Sequence, residues 1–170
     1  MSEILYRDAT RADAAEIAAF ASRTFCETFA HLYPPEDLSA FLAKKYGEEI
    51  QAREIETPPN RYRLALQDGR LVGYCMMGGL DIEVDEPSAL ELHRLYVDSE
   101  VKGAGVAQAL MRDCLAWAHE KGASALYLSV WEDNARAQAF YKRQGFVHVG
   151  EHKFMVGNTA DRDFIWRLAL

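Results

Sequence analysis

The sequence predicts a mixed α/β layer fold, with elements in the order β, α, α, β, β, β, α, β, α, β, β. Three observations carry that prediction. Residues 62–66 and 71–77 alternate or run apolar over strand lengths. Residues 14–25 and 106–118 repeat apolar side chains at helical spacing. Turn formers fall between such stretches, notably Asp68-Gly69, Gly122 and Gly145.

Taken in order, Ile4 to Arg7 predicts a short strand. Thr10 then caps a helix, with Asp13 as the second half of a capping box and Ala14, Ile17, Ala18, Ala21 and Phe25 on one stripe. Pro34-Pro35 ends that run and opens a second helix carrying Leu38, Phe41 and Leu42. Helix continues past Ile50 and Ile55 until Pro58-Pro59-Asn60 breaks it. Tyr62, Leu64 and Leu66 alternate in a strand, Asp68-Gly69 is a two-residue hairpin turn, and Leu71 to Met77 is the partner. An acidic connection, DIEVDEP at 81–87, leads to a strand at Leu90 to Val97. A helix from about Gly103 to Lys121 aligns Val106, Leu110, Cys114, Trp117 and Ala118, and Gly122 stops it. Ala125 to Val130 is an apolar strand. Asp133 caps a short helix reaching Arg143, Gly145 ends it, and strands at 146–149 and 164–168 close the chain.

With 170 residues and no linker or repeat, one domain spanning 1–170 is expected. Nearly half the residues are apolar, and 19 Lys and Arg against 26 Asp and Glu give a net charge of -7. That balance argues against a nucleic-acid partner, which would show a basic patch. Cys26, Cys75 and Cys114 are odd in number and widely spaced, so they read as reduced thiols, without disulfide, zinc or other metal spacing. No apolar run long enough to cross a membrane occurs, and the first residues lack a signal-peptide pattern. The expected location is the cytoplasm, with no membrane partner.

VKGAGVAQALM at 101–111 sets a lysine and two glycines at the start of a helix. Helix N-termini present free N–H groups and a partial positive charge, and glycine lets the backbone approach an anion closely. The third glycine of a dinucleotide fingerprint is replaced by Gln108, and a Walker lysine is absent. Lys102-Gly103-Ala104-Gly105-Val106-Ala107 fits (Gln/Arg)-x-x-G-x-(Gly/Ala) with lysine at the first position.

Downstream, WEDNARAQAFYKRQGF at 131–146 resembles the signature N-x-x-A-x-x-F-Y-x-x-x-G-F of the GNAT superfamily of N-acetyltransferases, through Asn134, Ala137, Phe140, Tyr141, Gly145 and Phe146. The two motifs lie in that superfamily's order. SRTFCETF at 22–29, ELHRLYV at 91–97, residues 129–157 and DFIW at 163–166 further resemble bacterial spermidine/spermine acetyltransferases. The resemblance implies a mostly antiparallel central sheet of about seven strands flanked by about four helices.

It also implies acetyl-CoA as co-substrate, with the pyrophosphate on Gly103, Ala104, Gly105, Val106 and Ala107, aided by Lys102 and Gln108. A bulge in the strand before this turn would open a gap for the pantetheine arm, bonded near Leu95, Tyr96 and Val97. Asn134, Ala137, Tyr141 and Arg143 complete the implied cofactor site, an N-cap role for Asn134 or Asp133 being nearly as well supported.

Acetyl transfer to an amine needs a base, a polarised carbonyl and an acid for the leaving thiolate. Glu91 is the first candidate base, and His93, on the same strand face, is the alternative. Tyr141 is the candidate acid. Glu91, Trp131 and Tyr33, the last expected to be the most exposed aromatic of residues 25–46, are the candidate acceptor wall. The acceptor implied is a small primary amine, a polyamine first. Acetylation of a protein or peptide amine, and a CoA-binding sensor with little turnover, stay open, and a homodimer is compatible with the resemblance.

Overall fold

The computed structural model describes residues 2–170. Its strands are β1 (Ile4–Asp8), β2 (Arg61–Gln67), β3 (Arg70–Gly78), β4 (Leu90–Val97), β5 (Ala125–Trp131), β6 (Val147–Val156) and β7 (Thr159–Ala169). The α-helices are α1 (Ala14–Phe29), α2 (Pro35–Tyr46), α3 (Glu48–Glu56), α4 (Val106–Glu120) and α5 (Ala135–Arg143). The seven strands form one sheet in the order β1-β2-β3-β4-β5-β7-β6. Every pairing is antiparallel except β4 with β5. This is the mixed, mostly antiparallel sheet that the sequence led us to expect.

Helices cover both faces. The α4 stripe, with Val106, Leu110, Met111, Cys114 and Trp117, buries against Val72, Leu92, Leu126 and Leu128. On the other face Ile17, Phe20, Ala21 and Phe25 of α1 pack on Tyr62, Leu64 and Tyr74. α3 is fixed to the sheet through Arg94, which is only 5% exposed. Arg94 donates to Glu54 at 3.0 Å, to Gln51 at 3.1 Å and to the Tyr62 hydroxyl at 2.9 Å, and lies over the Tyr46 ring. Such a charge is tolerated in the interior only because these groups surround it. No helix among the described residues is long and apolar enough to cross a membrane. All three cysteines are free.

Local chemistry explains most boundaries. Asp68 and Gly69 both take positive φ, as a two-residue hairpin turn of this kind requires. The Asp13 carboxylate accepts the Thr10 N–H at 2.8 Å, ahead of α1. Gly47 divides residues 35–56 into α2 and α3.

Besides the division at Gly47, three boundaries differ from the sequence reading. α4 starts at Val106 rather than near Gly103, because Gly103 and Gly105 hold φ of 87° and 82°. The cap of α5 is Asn134, not Asp133: its side-chain oxygen accepts the Ala137 N–H at 3.2 Å. β6 and β7 run well beyond the predicted segments and close at Gly157, where a Cβ would lie 2.4 Å from Asp37 Cγ. Polar and charged residues within 150–163 hid that hairpin, since both of its strands expose many side chains.

Candidate active site

The parallel pair β4 and β5 meets only at Leu90 with Leu126 and Glu91 with Tyr127. On the other side of β4, Arg94 faces Met76 and Leu92 faces Met77, so His93 is an extra, bulged residue. A bulge bends its strand and frees backbone groups. From Leu92 onward β4 leaves β5, and a cavity of about 810 Å³ opens in the gap. The bulge and the splayed strands are where the resemblance implied they would be.

One half of the cavity is bounded by the start of α4. Lys102, Gly103, Gly105, Val106, Ala107 and Gln108 line it. The first N–H groups of a helix have no partner inside it, so they point outward. A Cβ at Gly103 or Gly105 would meet nothing within 4 Å, which leaves the cradle open to a ligand. Ala104 is exposed, its N–H bonded to the Val101 carbonyl, and it is not part of the wall. The Gln108 side chain exchanges amide hydrogen bonds with Gln144. Asn134, Ala137, Phe140, Tyr141 and Arg143 line the α5 side, with Arg136, which the sequence reading did not single out. The residues present thus fit a pyrophosphate and its attached chain, and Leu95, Tyr96 and Val97 form the floor of the gap.

Tyr141 is buried, and its hydroxyl makes no hydrogen bond to another described residue. Burial holds its phenol well above the usual range, so at neutral pH it carries its proton. Glu91 is 5% exposed, and one of its carboxylate oxygens accepts the Asp81 N–H at 2.7 Å and the Ile82 N–H at 3.1 Å. The other oxygen stands 3.6 Å from His93 Nδ1, as does the Asp81 carboxylate. His93 Nε2 lies 2.8 Å from the Gly79 carbonyl oxygen. A carbonyl only accepts, so Nε2 is the donor, and the neutral ring keeps its lone pair on Nδ1. Glu91 and His93 therefore form one unit, in which a proton arriving at Nδ1 faces two carboxylates.

The other half is walled by Phe25, Phe29, Tyr33, Trp131, His152, Phe154, Asp161 and Asp163. Phe29 meets Trp131 edge to face at 5.4 Å. Tyr33 is not the exposed aromatic that was expected. It is 7% exposed, because its ring packs near Phe25 and its hydroxyl donates to Asp161. Lys45 also lines the cavity, where burial lowers its pKa and Asp81 and Glu91 are among the charges acting on it. Phe41 stays in the core behind, 4.9 Å from Phe25.

The acidic loop divides. Asp81 borders the cavity, whereas Glu86 accepts from Arg167, Ser124 and Tyr127, hydrogen bonds that lower its pKa to about 2. Glu132 pairs with Arg162 at 2.6 Å and does not line the cavity. Asp161, Asp163 and His152 escaped the sequence reading, although Asp161, Asp163 and Ile165 alternate in a strand and so share one face.

A family model described as the acetyltransferase (GNAT) family matches residues 23–146. An uncharacterized N-acetyltransferase of Lactobacillus delbrueckii subsp. lactis is 32% identical, over 93% of this chain and 92% of its own. One of Mycobacterium tuberculosis is 35% identical, over 90% of this chain and 95% of its own. Among solved structures, the PaiA N-acetyltransferase of Thermoplasma acidophilum in complex with coenzyme A superposes with a TM-score of 0.80. It has 22% identity, and 99% of each chain is covered.

Proposed function

The chain belongs to the acetyltransferase (GNAT) family, and from that premise we propose that it moves the acetyl group of acetyl-CoA to a small primary amine, a polyamine such as spermidine or spermine. The observation that carries the reading is the shared cavity: the open glycine turn of α4, Tyr141, and the Glu91–His93 unit all border one gap between diverging strands.

Bound acetyl-CoA supplies the activated acyl carbon. The N–H groups at the start of α4 take the pyrophosphate, with Lys102, Arg136 and Arg143 adding charge. Lys102 acts as a point charge without an arginine's fork. A backbone N–H at the β4 bulge polarises the carbonyl. An alkyl ammonium has a pKa of about 10.4, so roughly one molecule in a few thousand is neutral near pH 7. His93 Nδ1 removes the ammonium proton, with Glu91 and Asp81 balancing the charge. Tyr141 gives its hydroxyl proton to the departing sulfur. The nitrogen loses two protons in all: one leaves through His93 to solvent, and the other replaces the proton given by Tyr141.

The reading includes one catalytic domain over residues 1–170 and a reducing, cytoplasmic setting, supported by three unpaired cysteines. CoA thiol release from acetyl-CoA, with spermidine, spermine, other amines and short peptides as acceptors, tests it. Release that depends on small amines is expected. Release with peptides alone would make the chain a peptide N-acetyltransferase, and CoA binding without release to any acceptor would make it a sensor.

A further inference from the structure

Asp163 is only 9% exposed, yet its carboxyl has no hydrogen bond or ion pair with any described residue, and it borders the cavity. Its oxygens keep some access to solvent, and a charged form so enclosed is still costly without a partner. Its strand neighbours are specific. In the ladder Asp163 stands directly opposite Trp131 on one side and His152 on the other. Opposed residues of paired strands project to the same face. His152 Nε2 is itself buried without a partner. Asp161, two residues away on the same face, is occupied by the Tyr33 hydroxyl. The cavity wall therefore holds, side by side, an indole, an unmatched carboxyl and an unmatched imidazole nitrogen.

An ammonium group has three N–H donors and no acceptor, and it is attracted to an indole face. It answers every unmatched group in that row. No group of three or more His, Cys, Asp or Glu side chains among the described residues is arranged to hold a metal ion. The Glu91–His93 unit lies on β4, and β5 stands between β4 and β7. Across the sheet the two anionic poles are two strand spacings, roughly 10 Å, apart, and along β5 the level of Asp163, at Trp131, lies four residues, roughly 13 Å, beyond that of Glu91, at Tyr127.

We propose that Asp163, with His152 and Trp131, is a seat for a second cation of the acceptor, held while the reacting nitrogen lies at Glu91 and His93. The favoured acceptor is then an elongated alkyl di- or polyamine, and Asp163 is the residue that selects it over a monoamine. This rests on the amine-acceptor reading above, so the test has one arm that needs no turnover.

Calorimetric binding of hexamethylenediamine and of hexylamine to the intact chain without acetyl-CoA, for the wild type and Asp163→Asn, is that arm. The wild type is expected to prefer the diamine. Asp163→Asn should reduce the ratio of diamine to monoamine affinity by about ten-fold or more, the scale of a lost hydrogen bond to a charged group. Asp163→Glu, which keeps the charge, should retain much of the preference. In acetyl transfer, the same ratio of kcat/KM should fall in Asp163→Asn. A wild type without diamine preference overturns the seat even if the variant does not fold. An equal loss for both amines also overturns it, since Asp163 would then act on the reacting nitrogen. Diamine binding that depends on Asp163 with no acetyl transfer would keep the seat and remove the transferase reading.

Discussion

At the scale of single residues, the contrast between Tyr141 and Asp163 is instructive. Both are buried ionisable groups on the cavity wall without a protein partner, and burial pushes both toward their neutral form. For a phenol this maintains a proton donor. Tyr141→Phe should lower kcat at least ten-fold, general acid–base catalysis typically contributing about 10²–10⁴-fold, while CoA affinity is nearly kept. Steady-state kinetics beside a CoA titration decide it, and unchanged kcat removes Tyr141 from the mechanism. For a carboxyl the same burial is a stability cost. Burial, then the charge of Asp161, pushes Asp163 up to about 6, against about 3.9 in an unfolded chain. Between those values the folded protein holds the extra proton, so stability falls as pH rises through this window and stays lower above it. The gain in Tm of Asp163→Asn over the wild type should thus be small near pH 4 and full at neutral pH, and a gain independent of pH would refute this. Tyr141 was legible in the sequence because it sits in a motif. Asp163 was not, because a carboxyl without a partner looks, in one dimension, like any surface aspartate.

At the scale of elements, the turn before α4 shows how far sequence reaches. Two glycines next to a lysine were enough to pick out a turn that borders the cavity, and the positive φ at Gly103 and Gly105 explains why glycine stands there. Their conformation also moved the helix start by three residues, which spacing alone could not reveal. Gly105→Glu should abolish CoA binding, through backbone strain at φ 82° and a carboxylate beside the pyrophosphate. Calorimetry on a folded variant checks this, and normal binding would mean that the phosphate lies elsewhere. The β4 bulge stands between the legible and the illegible. The family resemblance implied one, but nothing in Leu92-His93-Arg94 marks His93 as the extra residue. Pairing with β3 fixes it, because Met76 and Met77 face Arg94 and Leu92. The long β6–β7 hairpin was missed for a related reason. Its charged side chains are solvated on one side, and on the other they include Asp161 and Asp163, which border the cavity.

At the scale of the whole molecule, the sheet consists of two parts, β1-β2-β3-β4 and β5-β7-β6, whose direct ladder is two residue pairs long. The alternation of strands and helices was readable from the sequence, but this weak seam was not, since it arises from strands far apart in the chain. α4 packs against both parts and holds them from one face, through Leu92 on β4 and Leu126 and Leu128 on β5. A ligand in the gap would touch both parts at once, so its binding should stabilise the assembly and not just the turn. At a CoA concentration one hundred times Kd, linkage gives about 2.7 kcal/mol. A chain of this size gains about 2–4 °C in Tm per kcal/mol, so a rise of roughly 5–10 °C is expected. Amide exchange should report where. Residues 92–97 and 128–131 on the two flanks should exchange faster than β2 and β3 without ligand, because their gap-side backbone groups have no ladder partner. CoA should slow both flanks together. Protection confined to the start of α4 would show that the cofactor binds at the turn without spanning the gap, and acceptor and donor would then have to meet outside the cavity.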